Sequence, residues 1–277
     1  EVLILPAQVD LQHARLLEQA AIGRAPDAAM IDAQYSGTFD QFLEPLDEYF
    51  DEEEINDFFP GLLKGGMVNQ EGQLKLLWFV TNMEGLWYRQ DLIPEPPKTW
   101  DEVIEVAQKL MAEEGFPIGF EYPAKGENAM YGSILPMFYA QGGQLVDADG
   151  QPTFNNAKNR AILTNIFNFY KRTIEAKVTP LRVVNIELTE DRIADPVADL
   201  TPLLIGGTWF QSNFYSMLGK DVADNKWGFA PVPQMTADQG AAVTGGWTFG
   251  VFAEDPVRRA YIVDFLNYVS VGPDGMA

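Results

Sequence analysis

Between Leu86 and Leu110 the chain reads LWYRQDLIPEPPKTWDEVIEVAQKL, and no other stretch limits the possible folds so strongly. Leu86, Trp87 and Tyr88 are large, β-prone residues in a row. Asp91 to Pro97, with prolines at 94, 96 and 97, can continue neither a strand nor a helix. Thr99 followed three residues later by Glu102 is a capping box, which predicts a helix starting there. Val103, Val106, Ala107 and Leu110 then recur at helical spacing, so one face packs inward, and Gly115 supplies the stop. A strand that feeds a capped helix through a rigid turn is a building unit of α/β proteins.

The same alternation is expected elsewhere. An extended Val2 to Leu5 precedes a helix from about Leu11 to Ile22, ended by Gly23, and a short strand follows at Ala28 to Ile31. Asp51-Glu52-Glu53-Glu54 fits the acidic first turn of a short solvated helix, where the dipole favours negative charge. Asn155 and Asn156 can cap a long helix that turns Ile162, Ile166, Phe169 and Tyr170 to one side. Asp255-Pro256 opens another, with Val257, Ala260, Tyr261, Phe265 and Tyr268 as its expected inward face. Both helices are expected against sheets.

At 277 residues, 47% apolar and 12% aromatic, the chain can build two compact cores. Its apolar runs, such as Leu74 to Val80 and Leu200 to Ile205, fall well short of the roughly 20 residues that a membrane-crossing helix needs. Forty acidic side chains against nineteen Lys and Arg leave a net charge of −21. Such a field repels nucleic acid and anionic surfaces, and it favours a neutral or cationic ligand. The chain has no cysteine, so disulfides, thiol nucleophiles and thiolate metal sites are excluded. It contains no repeat, low-complexity tract or Gly/Ser linker, and two domains are therefore expected to be joined by crossing strands.

The Leu86 to Leu110 stretch resembles the extracellular solute-binding proteins of ABC importers, of the type that includes maltose-binding protein, with Arg89 where that family usually carries Asn. Further matches follow in family order: Ala25-Pro26-Asp27, Leu46-Asp47-Glu48-Tyr49, Gly142-Gly143, Ile205-Gly206-Gly207-Thr208-Trp209, Trp227-Gly228-Phe229-Ala230-Pro231-Val232-Pro233 and Gly245-Gly246-Trp247. The resemblance implies a two-lobed α/β fold of the type II periplasmic-binding kind. Each lobe would be a sheet flanked by helices, with the ligand cleft between them. The crossings would fall near Thr81 to Gly85 and Val243 to Gly246, giving a first lobe of 1–82 plus 246–277 and a second of 83–245. Measured against the family pattern, the sequence begins at the usual second strand and stops after Gly275-Met276-Ala277, as a fragment would, so the first lobe is expected to be incomplete. The implied function is capture of a sugar or oligosaccharide outside the cytoplasm, in the periplasm or lipid-anchored at the outer face of the cell membrane, by a monomer that delivers it to permease subunits. No cofactor is implied. A secreted carbohydrate-active enzyme, or a binder of a non-sugar solute such as a polyamine, are the competing readings.

Catalytic and metal motifs are missing. The single histidine, His13, lies in an amphipathic helix without a nucleophile motif, and a structural or surface role is expected of it. Neither G-x-x-x-x-G-K-S/T nor G-x-G-x-x-G occurs, and the paired glycines read as tight turns. Asp147-Ala148-Asp149-Gly150 has its glycine too early for a calcium loop and reads as a hairpin turn. The candidates for ligand contact are aromatic and polar residues near strand ends. Trp209, after three small residues, can offer a flat face to the apolar side of a sugar ring or be a core tryptophan, and the family's aromatic at this position commonly stacks on ligand. The resemblance adds Phe79, Thr81, Asn82 and Glu84 at the first crossing and Asp32, Gln34 and Tyr35 after the Ala28 to Ile31 strand. At the return crossing Gly245, Gly246 and Trp247 serve as hinge or as contacts, and Glu127 and Asn128 are weaker candidates. Amides beside aromatics suit a polyhydroxylated ligand, whose hydroxyls must regain partners on leaving water. Carboxylates such as Asp32 and Glu84 would suit an ammonium group instead.

Overall fold

The computed structural model describes residues 9–186 and 189–271. The expected extended Val2 to Leu5 lies outside them. In chain order the main elements are α1 (Val9–Ala21), β1 (Ala28–Asp32), β2 (Leu76–Arg89), α2 (Trp100–Glu113), α3 (Ala157–Glu175), α4 (Thr189–Val197), β3 (Leu203–Gly207), α5 (Phe210–Leu218), β4 (Trp227–Ala230), β5 (Thr244–Val251) and α6 (Pro256–Leu266). Contacts divide the chain into two compact units, 1–81 with 245–277 and 82–244.

In the first unit β5 lies antiparallel to β1, from Ala28 opposite Val251 to Asp32 opposite Trp247, and the strand order is β1-β5-β2. Leu46, Met67, Leu77, Trp78, Val251 and Leu266 form one core, and Leu16, Ile31, Phe39 and Leu76 a second. The face expected to be inward on α6 is the outward one. Val257, Tyr261, Phe265 and Tyr268 are exposed, Tyr261 by 74%, while Val263 and Leu266 are buried. Apolar residues surround this helix, so periodicity alone does not choose a side. The side that turns inward is the one whose Val263 and Leu266 pack into the core, while Arg259 donates to the Ala253 carbonyl and pairs with Glu44.

In the second unit β2 is the central strand, antiparallel to β3 from Glu84 opposite Gly207 to Tyr88 opposite Leu203, and to β4 from Leu86 opposite Ala230 to Arg89 opposite Trp227. β2 runs 14 residues, much longer than the Leu86 to Tyr88 core of the sequence reading, because no proline interrupts Leu76 to Arg89. The Thr99–Glu102 capping box forms, and Val103, Ala107 and Leu110 of α2 are buried against Leu86, Phe120, Phe169 and Ile205. Asn156 caps α3, whose Ile162, Ile166 and Phe169 enter the same core. Arg89, the departure from the family pattern, is held by Asp91 and Asp199 at 2.6 Å each. Among the described residues no helix is long and apolar enough to cross a membrane.

Candidate functional site

The sequence candidates lie in both units, and each unit gathers some of them around one residue. In the first unit, β1 ends at Asp32, whose carboxylate caps the following turn by accepting from the Gln34 N–H at 3.1 Å. Burial pushes Asp32 above the ordinary carboxylate range, against the pull of the Gln34 N–H. Tyr35 and Trp247 both lie against His13. The Tyr35 ring stacks on the imidazole at 4.1 Å and 8°, and the Trp247 ring lies 5.9 Å away at 20°. His13 is buried, accepts from the Asp32 N–H through Nε2 at 2.9 Å, and donates through Nδ1 to the Val9 carbonyl at 2.8 Å. These two bonds require the neutral Nδ1–H tautomer. The histidine is therefore structural, and it joins three of the candidates.

The other first-unit candidates are arranged differently. Phe79 is half-exposed and meets Phe249 edge-on at 5.3 Å. Thr81 is exposed and donates to the Gly245 carbonyl at 3.3 Å, which ties β2 to β5. Gly246 has φ +141°, and a Cβ there would sit 2.1 Å from the Val80 carbonyl oxygen. Close backbone approach thus requires this glycine.

In the second unit Trp209 follows β3 directly. Its ring lies on the Cα of Gly207: a Cβ on Gly207 would fall 1.8 Å from Trp209 Cζ3. The Arg192 guanidinium, from α4, sits 5.7 Å from the Trp209 ring centre and 5.0 Å from that of Phe210, and Phe210 meets Trp209 edge-on at 5.9 Å. Glu84, across the ladder from Gly207, accepts from Arg192 at 2.9 Å. The partners are 5% and 2% exposed, so this is a buried ion pair. Arg192 also donates to the Ile205 carbonyl and to Asn128 Oδ1, both at 3.2 Å. Asn82 is half-buried where β2 enters the unit, and Glu127 lies in the short helix Gly126–Asn128.

Arg192 is an organising residue that sequence reading misses, whereas His13 has the structural role expected of it and only its partners are not foreseen. Arg192 lies in a segment without motif, and His13 carries no local signal of its partners. A second buried acid, Glu121, accepts from Arg182 at 2.8 Å, while its other oxygen has no hydrogen-bond partner. Burial raises it to about 7, against the pull of Arg182. At Asp147 to Gly150, the Asp147 carboxylate accepts from the Asp149 and Gln151 N–H groups, as a hairpin turn requires. Among the described residues no group of His, Cys, Asp and Glu could hold a metal ion. What both groups present is aromatic surface beside hydrogen-bonding side chains, an arrangement fit for holding a polar organic molecule.

Residues 13–270 match the model of the bacterial extracellular solute-binding proteins. A probable ABC transporter-binding protein of Deinococcus radiodurans is 27% identical over 259 residues, which is 87% of this chain and 58% of that protein. The maltotriose-binding protein of Pyrococcus abyssi is 24% identical over 238 residues, covering 85% of this chain and 48% of that one. The chain thus spans about half the length of these relatives. Among solved structures, the maltose-bound MalE3 of T. maritima superposes with a TM-score of 0.80 over 98% of this chain and 72% of its own, at 24% identity. That likeness establishes the α/β fold of type II periplasmic binding proteins. With the match covering nearly all its length, the chain belongs to the bacterial extracellular solute-binding proteins, a binding family that works outside the cytoplasm.

Proposed function

We propose that this chain captures a carbohydrate as the solute-binding component of an ABC importer and passes it, chemically unchanged, to permease subunits. The observation that carries this reading is the Trp209 platform. Its partly buried ring lies on Gly207, with the Arg192 guanidinium over it and Phe210 edge-on beside it. A rigid indole covers the C–H face of a sugar at little entropic cost. Asp32, Gln34, Tyr35 and Trp247 in the first unit and Asn82 in the second are the further proposed contacts. Phe79, Thr81, Gly245, Gly246 and Glu84 shape their surroundings. Family membership supports capture and delivery, and the maltotriose- and maltose-binding relatives support the sugar class. A net charge of −21 does not oppose a neutral sugar. The protein acts in the periplasm or anchored by lipid at the outer face of the cell membrane, as a monomer.

The test is a thermal-shift screen with maltose, maltotriose, monosaccharides, polyamines and amino acids, followed by calorimetry. A ligand selective for the folded state raises stability by RT ln(1 + [L]/Kd). A saccharide is expected to raise the unfolding temperature, and Trp209→Ala to cut its affinity roughly thirtyfold or more, as for an aromatic anchor worth about 2 kcal/mol. Stabilisation by a polyamine or amino acid alone would refute the sugar assignment.

A further inference from the structure

Glu84, Asn128 and Trp209 come from separate segments, yet all three meet one guanidinium, that of Arg192. Stability is a weak explanation for this arrangement. A buried ion pair is often no more stable than well-packed apolar residues of the same volume, and Arg192 Nε is buried without a hydrogen-bond partner. The position of the pair is more informative. Glu84 lies opposite Gly207 on the ladder, and Gly207 is the residue on which the Trp209 ring rests. In a chain with forty acidic residues, an uncompensated carboxylate there would attract cations.

We propose that Arg192 sets the charge selectivity of the solute site, because by holding Glu84 it cancels the carboxylate beside Trp209, so that neutral solutes are accepted and cations refused. The inference deepens the proposed function and rests on it in one respect, that solute docks at Trp209. Arg192 acts through Glu84 and is a positioning residue. Buried charges are weakly screened, so removing either partner leaves a net charge felt at the platform.

Calorimetry on the whole chain tests this with spermidine as the cation, galacturonate as the anionic sugar and maltotriose as the neutral one. Arg192→Gln is expected to gain roughly tenfold or more in spermidine affinity, as for one hydrogen bond to a charged group. Glu84→Gln is expected to gain a similar factor for galacturonate. The double variant returns to the parent's preference for both ions, and Arg192→Lys, which keeps the charge, behaves as the parent. Folded single variants with unchanged ion preference would overturn the proposal, as would a spermidine gain that survives in the double variant. Should Arg192→Gln not fold, the Glu84→Gln arm decides alone. Failure of the parent to bind any saccharide would instead sink the sugar reading, since the ion preferences are read between variants.

Discussion

Replacing Gly207 with alanine tests whether the Trp209 platform is built as described. No strained backbone complicates the change, because Gly207 is absent from the positive-φ glycines. Its peptide is held in place by the ladder to Glu84 and by the Trp87 indole N–H, which donates to its carbonyl at 3.0 Å. The new Cβ would meet Trp209 Cζ3, Cε3 and Cη2 at 1.8, 2.1 and 2.2 Å, so the ring is what must move. The ring leaves Arg192, forfeiting a cation–π contact worth about 0.5–2 kcal/mol, and the overpacking raises the total to about 1–3 kcal/mol. Removing the ring first should abolish that cost. In a Trp209→Ala background the same substitution is expected within about 0.5 kcal/mol of neutral, because alanine is slightly better than glycine in a strand. Urea unfolding of parent, two single variants and the double variant, followed by near-UV circular dichroism, gives the coupling energy. An equal cost of Gly207→Ala in both backgrounds would refute the contact between Trp209 and the Gly207 backbone. On the binding side, Gly207→Ala should weaken saccharide affinity about as much as Trp209→Ala does.

Two further outcomes follow from buried polar groups. His13→Phe keeps a ring against Tyr35 and Trp247 but orphans the Asp32 N–H, which costs about 1–3 kcal/mol. His13→Ala also removes the stack and should cost more, and the reverse order in urea unfolding would contradict the stacked arrangement. Glu121, raised to about 7 from a reference of 4.5, holds its proton more tightly when folded. Its contribution is therefore full below about pH 4.5 and is lost as pH rises towards 7, amounting to about 3 kcal/mol at most. Glu121→Gln should flatten the stability profile between pH 5 and 8, and parallel profiles for parent and variant would show that this carboxyl does not titrate there.

Local structure was legible wherever a short segment decides its own conformation. The Thr99–Glu102 box, the Asn156 and Asp255 caps and the hairpin turn at Asp147 each depend on a side chain bonding a backbone group within a few residues. The buried face of α2 was legible because its apolar stripe is narrow. α6 was misread for the opposite reason, since its apolar residues extend round the helix and only the packing of Val263 and Leu266 into the first unit's core shows which side turns inward.

The site separates along the same line. Gly206, Gly207 and Trp209 stand together in the sequence, so Trp209 is legible there as a candidate ligand face or core tryptophan, while the seating of its ring on Gly207 emerges only in the fold. Nothing in the sequence couples Glu84 to Arg192, 108 positions away, or His13 to Trp247. These contacts form only when β2, β3 and α4, or α1, β1 and β5, have packed. The distinction matters for ligand choice, because Glu84 in isolation argues for a cation, whereas Glu84 held by Arg192 argues for a neutral solute. Charge at a binding site belongs to the paired cluster, and the −21 of the whole chain describes long-range approach and leaves the polarity of the platform to that pair.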